Sequence, residues 1–346
     1  MVTVETVPWP AGDWRRLLAD AVSDLDELLA LLDLDESCLG EYAEALRSAH
    51  SFALRVPRGF IARMRRRDPD DPLLRQVLPS GREMIRVGGF TTDPLGELTH
   101  LPSDGVLHKY HGRALVMVTG ACAVHCRYCF RRHFSYSDNV VAGGDLEATI
   151  SRVAADPEIT EVVLSGGDPM TLPDVNLEVL ARGLAALPSV RRLRIHTRLP
   201  IVLPQRVDAD LVMWLGGLGV PVVVVVHANH AHEIDSDVRR ALAVLDATGV
   251  TLLNQTVLLA GVNDSADALV DLSESLFEAG VLPYYLHLLD PVEGAAHFEV
   301  PEKKARLLNT ELTNRLPGYL VPRLVREVEG APAKVGIHLQ TLNVQR

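Results

Sequence analysis

No run in this sequence is apolar for long enough to cross a membrane. The most apolar stretch near the middle, Val222–Val226, falls far short of the roughly 20 residues a spanning helix needs. A basic surplus is missing too: 34 Lys and Arg stand against 45 Asp and Glu, a formal charge of −11 that argues against a nucleic-acid binder with its basic face. The one basic run, residues 63–67 interrupted by Met64, leads straight into Asp-Pro-Asp-Asp-Pro and reads as a solvated helix end followed by a turn. Glu5 and Asp13 stand where a signal peptide would have a basic start and an apolar core. Gly and Pro, 25 and 21 in number, are scattered without period, which removes collagen-like and low-complexity readings. Cysteine is scarce, four in 346 residues, and a chain this long builds its core without disulfides. At 47% apolar and 23% charged the chain is not disordered. These exclusions leave a soluble cytoplasmic protein with one large α/β domain and an accessory region.

The first hundred residues read as helical and irregular. Asp13 is a candidate N-cap for an amphipathic stretch and Asp24 for a second, while Pro57 and the prolines at 69 and 72 break the region into short pieces. From residue 114 the character changes. Residues 114–119, 161–164, 192–195, 221–226, 251–259 and 281–288 are short runs rich in Val, Ile and Leu, their starts 47, 31, 29, 30 and 30 residues apart. Helical patterns such as 177–187 and 238–248 lie between them. This is a repeated βα unit, and continuous apolar strands imply a parallel sheet buried on both faces. Six units predict a partial or open (β/α)6 barrel, with a doubly wound open sheet as the alternative. The expected organisation is a helical flank over 1–105, a barrel over 106–310 and a C-terminal segment over 311–346.

Polar residues fall at or just past the C-terminal end of each run, where a barrel places its chemistry. These are Cys122; Ser165-Gly166-Gly167-Asp168-Pro169; His196-Thr197-Arg198; His227-Ala228-Asn229-His230; Asn254-Gln255; and His287 with Asp290. Six such placements in register predict a single site at one mouth. Cys122, Cys126 and Cys129 lie within eight residues, whereas Cys38 stands alone and reads as a packing residue. Three thiolates on one loop suit a soft metal centre. Zinc would need a fourth ligand, for which His125 or His133 is available. C-x₃-C-x₂-C fits better with three irons of a [4Fe–4S] cluster whose fourth iron stays open.

C-x₃-C-x₂-C after the first strand of a βα barrel resembles the radical S-adenosylmethionine (SAM) superfamily, and the 165–169 turn resembles its glycine-rich motif. That resemblance implies that bare backbone at Gly166 and Gly167 approaches the methionyl end of SAM. Further stretches are similar to the lysine 2,3-aminomutases: Cys129-Phe130-Arg131-Arg132, Leu203-Pro204-Gln205-Arg206, His227 to His230, Asn254-Gln255-Thr256, Gly261-Val262-Asn263-Asp264, Pro283-Tyr284-Tyr285 and His297-Phe298. Phe52-Ala53-Leu54-Arg55-Val56-Pro57, Asp70-Asp71-Pro72-Leu73-Leu74-Arg75-Gln76 and Gly318-Tyr319-Leu320-Val321-Pro322 resemble the bacterial branch that makes β-lysine for elongation factor P.

The family resemblance implies an isomerase that moves the α-amino group of L-lysine to Cβ. Its cofactors would be a [4Fe–4S] cluster, SAM and pyridoxal 5′-phosphate (PLP). It implies Cys122, Cys126 and Cys129 on the cluster, Lys334 as the catalytic lysine that carries PLP, and Lys109, Tyr110 and Arg113 around the PLP ring and phosphate. Ser165, Gly166, Gly167, Asp168, His227, Asn229 and Gln255 become cofactor-binding positions. Arg131 would pair with the substrate carboxylate, and Asp290 with Glu327 would hold its side-chain ammonium. Implied partners are lysine, an electron donor for the cluster, and a functional link to elongation factor P and its lysyl-ligase, with no nucleic acid or membrane.

Lysine is itself scarce, four against thirty arginines. A chain that uses arginine for surface charge keeps lysine where a Schiff base is needed, though Lys303 and Lys304 on a solvated helix limit that argument. The family's run of glycines before the lysine is reduced here to Gly330. Ser265 follows Gly-Val-Asn-Asp and no cysteine follows Cys129, so no structural zinc is expected. Rival readings are an aminomutase for another amino acid such as glutamate, a radical SAM enzyme acting on a protein, and a non-catalytic iron–sulfur protein.

Overall fold

The computed structural model describes residues 9–10, 12–37, 52–97, 105–134 and 146–338. Its frame is one nine-stranded sheet whose spatial order is the chain order. The strands are β1 (Val106–Tyr110), β2 (Arg113–Thr119), β3 (Glu161–Gly166), β4 (Arg192–Thr197), β5 (Val222–Val226), β6 (Thr251–Val257), β7 (Leu282–His287), β8 (Arg323–Arg326) and β9 (Val335–Gly336). From β2 to β8 all neighbours are parallel, while β1 and β9 add antiparallel edges. All six expected strands are present. β1, β8 and β9 are not in the sequence reading, because they are short and carry residues such as His108, Arg323 and Arg326 in place of a Val-rich run.

Helices α1 (Asp13–Ala19), α2 (Leu25–Leu31) and α3 (Arg58–Ile61) belong to the flank. Between the strands lie α4 (Leu146–Ala154), α5 (Asp174–Ala185), α6 (Leu199–Val202), α7 (Ala209–Gly216), α8 (Ser236–Asp246), α9 (Ala266–Glu278) and α10 (Glu302–Arg315). Short polar side chains start several of them: Asp24, Asp208, Asp235 and Ser265 each accept a backbone N–H of the first turn. Asp13 does not cap α1. It is the first helical residue, and Gly12, at φ 77°, takes the cap position and donates its N–H to Asp208 at 2.8 Å.

The sheet is curled. Tyr110 at the end of β1 donates its hydroxyl to Glu327, just after β8, at 2.7 Å. Seven strand spacings in a flat sheet would hold them about 34 Å apart. The curl separates two faces. Leu193 and Ile195 of β4, Leu252 of β6 and Leu286 of β7 are buried in apolar clusters, whereas Arg194, His196, Gln255, Tyr285 and His287 line an interior cavity. Burial on both faces by apolar residues, the sequence expectation, therefore fails for β4, β6 and β7: their inner face is polar because it is the wall of a site.

The flank shares the barrel's core. Val56, Phe60, Leu73 and Leu74 are fully buried in the same cluster as Val116, Leu164 and Ile195. Bridges Val22 to Val56 and Thr91 to Val292 add local backbone pairing. Of the basic run, Arg63 is not solvated: its side chain is buried and donates to the Glu233 carbonyl at 2.5 Å.

Glycine is required where β2 and β3 end. Gly166 has φ 121°, and a Cβ there would lie 2.5 Å from the Thr119 carbonyl oxygen; one on Gly167 would lie 2.4 Å from that of Ala121. The space beside these glycines is filled by the chain's own backbone, so strand approach alone demands them. Gly167→Ala should lower stability by about 1–3 kcal/mol, read as the urea midpoint of unfolding; a midpoint equal to the parent's would show that the 119–121 turn yields freely.

Candidate active site

One cavity of about 530 Å³ opens at the C-terminal ends of the strands. It is lined by the three clustered cysteines, Tyr110, Arg113, Arg131, Ser165 to Asp168, His196, His227, Gln255, Asp290, Glu327 and Lys334. Residues more than two hundred positions apart thus share one wall, as the register of polar positions in the sequence predicts. Asn229 is not on that wall. It is buried, accepts the Val257 N–H at 2.9 Å and donates to Gln76 and Tyr128, and so ties the loops together. Lys109 lies on β1 with its side chain outside the described residues, as does all of Cys38.

The cysteine loop hangs on the flank. Arg127 and Arg132 converge on the carboxylate of Glu83, Arg132 at 2.5 Å. The Arg127 N–H donates to the Gln76 carbonyl and the His125 N–H to that of Arg55. Burial alone would raise the Glu83 carboxyl, but the two guanidiniums hold it below the usual range. Cys122, Cys126 and Cys129 are free thiols facing the cavity. Burial, then the neighbouring thiols, push Cys122 well above the ordinary value and Cys129 up to about 11. Such mutual opposition of buried thiols is what a shared cationic centre relieves. Among the described residues, only Asp174, Asp208 and Asp210 bring three metal-type ligand atoms within 4.8 Å of one another. Arg206 already pairs with Asp174 there, at 2.8 Å. Three thiolates on one zinc would stand about 3.8 Å apart, given Zn–S near 2.3 Å. In a cluster each thiolate holds a different iron, which is what three cysteines on one loop can supply without a fourth protein ligand.

Asp168 is a bracket between strand ends. It is buried, and its two oxygens accept the Met170 N–H, the Thr197 hydroxyl and the N–H groups of Arg198 and Leu199, at 2.7 to 3.1 Å. Burial raises its carboxyl against the pull of these donors. Its oxygens thus join the ends of β3 and β4 where the residue lines the cavity.

Arg131 presents its fork to Glu97 in a bidentate pair of 2.7 and 3.0 Å, and donates to the Gly166 carbonyl at 3.1 Å. Both side chains are buried. A carboxylate of the chain itself thus fills the fork. Across the curl, Lys334 pairs with Glu327, which also accepts from Tyr110. The Lys334 ammonium lies 5.6 Å from the Tyr285 ring centre, and Arg113 lies over Tyr110. Gly330, at φ 73°, supports the turn that returns the chain toward Lys334.

His227 shares a 2.8 Å hydrogen bond with Gln255, and its ring meets that of His196 edge-on. Burial, then the positive charges of Arg198, Lys334 and Arg131, bring His227 down to about 3. His196 is likewise held well below the ordinary value, by burial first. Its Nε2 atom is shut off from solvent with no hydrogen-bond partner among the described residues, so a bound group has a polar atom to meet there. Sequence reasoning missed Glu97, Arg194 and Arg323 on this wall. Arg194 was within reach, two residues before His196 on the same strand face. Glu97 carries no local signal.

An open parallel barrel with three cysteines spaced C-x₃-C-x₂-C at its mouth defines a radical SAM enzyme, a class that works with a [4Fe–4S] cluster and SAM. The family model of a 4Fe-4S single cluster domain matches residues 111–192. The chain is 52% identical to the L-lysine 2,3-aminomutase of Escherichia coli (strain K12), over 98% of this chain and 99% of that protein. It is 44% identical to that of Haemophilus influenzae over 93% and 94% of the two chains, and 32% identical to that of Clostridium subterminale over 94% and 78%. The chain belongs to the lysine 2,3-aminomutase family, a family of isomerases. Among solved structures, Streptococcus suis SuiB bound to S-adenosylmethionine is a partial likeness: 17% identity, TM-score 0.46, over 67% of this chain and 54% of that one. No helix among the described residues is long and apolar enough to cross a membrane.

The histidines make a pH prediction. Free His227 takes up its proton near pH 6.5 in the unfolded chain and only near 3 in the folded protein. Its contribution to stability is full above pH 6.5 and is lost as the pH falls toward 3. In the metal-free protein, the His227 ring resonance should hold still between pH 8 and 5. A midpoint near 6.5 would mean that water reaches the ring.

Proposed function

We propose that the protein converts L-lysine to β-lysine by a 1,2-amino shift, with PLP carried on Lys334, and that it acts in the cytoplasm to supply β-lysine for elongation factor P. The observation that carries this reading is that Lys334, near the end of the chain, reaches the same cavity as the three clustered cysteines. The reaction is an isomerisation: nitrogen leaves Cα for Cβ while one hydrogen passes the other way, with no net oxidation. When bound, the cluster with SAM supplies a hydrogen-abstracting radical, and PLP supplies a π-system that holds the unpaired electron during the shift.

The chain's own residues bind and orient. Arg131 takes the substrate carboxylate in the fork that Glu97 fills, where bidentate geometry sets the direction of Cα and Cβ. Asp290 and Glu327 receive the side-chain ammonium. Glu327 pairs with Lys334 and accepts from Tyr110, so a substrate ammonium would share this carboxylate with them. Glu327 is one methylene longer than the aspartate of the clostridial-type enzymes, and the Tyr110 hydrogen bond fixes where its head group sits. Arg113, over Tyr110, would take the PLP phosphate, and Arg194 and Arg323 add positive charge to the same wall. His196, His227 and Gln255 are neutral polar groups, suited to orienting a cofactor without adding charge. An anionic pocket end disfavours glutamate, whose side-chain carboxylate would face Asp290 and Glu327.

Anaerobic assay with free lysine, SAM and a reductant should yield β-lysine. Asp290→Asn should cost on the order of 2–5 kcal/mol of transition-state stabilisation in kcat/KM, because a desolvated ammonium loses its partner. A parental rate in that variant would place the ammonium elsewhere.

Borohydride reduction of the PLP-loaded protein followed by peptide mapping should put the label on Lys334. A label on Lys109, Lys303 or Lys304 would overturn the C-terminal assignment.

A further inference from the structure

We propose that Arg198 sets the reduction potential of the cluster, by donating a charge-assisted hydrogen bond to the sulfur of Cys126. The proposal rests on the reading that Cys122, Cys126 and Cys129 hold that cluster. Arg198 stands at the end of β4, with its side chain only 8% exposed. One Nη atom donates to Cys126 Sγ at 2.7 Å and to the Tyr128 hydroxyl at 2.8 Å. The other donates to Gln76 at 2.6 Å and to Glu233 at 3.0 Å. The guanidinium is therefore clamped from behind by a carboxylate and an amide, and its remaining edge is aimed at the sulfur.

Reduction adds one electron, and one negative charge, to a centre already held by thiolates. A fixed cation and an N–H···S bond stabilise the reduced form more than the oxidised one, which raises the potential. Arginine suits this task because it stays protonated at every working pH. Glu233 balances the charge from the far side of the fork, so the positive end of the pair points at the cluster. Loop positioning alone does not need the cation: Asn229 already joins Gln76 and Tyr128 through neutral bonds of 3.0 and 2.6 Å. A buried ion pair is weak as a source of stability when an apolar substitute of similar volume exists. Its place beside a cluster sulfur gives it a different use.

The test is a mediated redox titration of the anaerobically reconstituted protein, without lysine or SAM. Dithionite supplies the electron that takes [4Fe–4S]²⁺ to [4Fe–4S]⁺, and the reduced form is counted by electron paramagnetic resonance. Arg198→Met should weaken the one-electron reduction equilibrium at least tenfold, a potential about 59 mV more negative. The double variant Arg198→Met with Glu233→Gln removes both charges and should show the same direction of shift, which excludes a stranded Glu233 as the cause. Arg198→Lys keeps a charge without the fork and should shift less than Arg198→Met. A variant that keeps its iron at the parental potential would overturn the proposal. So would loss of iron in both Met variants, which would make Arg198 a residue of folding. Iron analysis of the parent separates the two levels: without iron the cysteine reading fails and takes the proposal with it, whereas with iron and an unmoved potential the proposal alone fails.

Discussion

A buried ion pair at the mouth of the barrel, Arg198 with Glu233, is the contact on which the rest of the site depends. Glu233 is fully buried and accepts from Arg198, from Gln76 and from the backbone N–H groups of Asn229 and His230. It therefore joins the end of β4, the loop after β5 and the flank in one knot. Arg198 extends the knot to the cysteine loop through Tyr128 and Cys126. Such a pair gives little net stability against an apolar core, yet breaking one partner leaves a buried charge at a cost of about 3–5 kcal/mol. The arrangement is thus hard to loosen by degrees, and it fixes the Arg198 guanidinium with one nitrogen on the sulfur of Cys126.

The same economy of charge runs through the cavity. Several strong cations near the mouth are matched by carboxylates: Arg131 by Glu97 and Arg127 and Arg132 by Glu83, all from the flank, and Lys334 by Glu327, seven residues before it. Between these pairs stand imidazoles kept neutral by burial. On the proposed function, a zwitterionic substrate entering such a cavity would exchange partners with the existing pairs and create few new buried charges. Such an exchange would limit the desolvation cost of binding.

The curl of the sheet connects the two halves of the chemistry. Without it, β1 and the segment after β8 would be on opposite edges, and Tyr110 could not reach Glu327. With it, the C-terminal hairpin of β8 and β9 lays Lys334 against the wall formed by β7. The polar inner face and apolar outer face of β4, β6 and β7 follow from the same closure, since one face packs on helices and the other encloses the cavity.

Periodicity and spacing by themselves determined the six parallel strands, the position of the polar residues at one mouth and the three-cysteine loop, because each is a local pattern repeated along the chain. Family resemblance in short stretches added Lys334, Arg131, Asp290 and Glu327, and the cavity brings all four together. Asn229 and Asp168 are polar residues at strand ends whose hydrogen bonds tie loops together, and nothing local in the sequence shows which of their atoms are engaged in that way. Glycine at 166 and 167 was legible as a motif, but its physical need is the approach of the 119–121 backbone. Only the tertiary structure decided that Glu97 occupies the Arg131 fork, that Glu83 anchors the cysteine loop, and that Arg198 points at Cys126. These contacts join residues 34 to 72 positions apart, and they exist only because the sheet curls and the flank packs against its mouth.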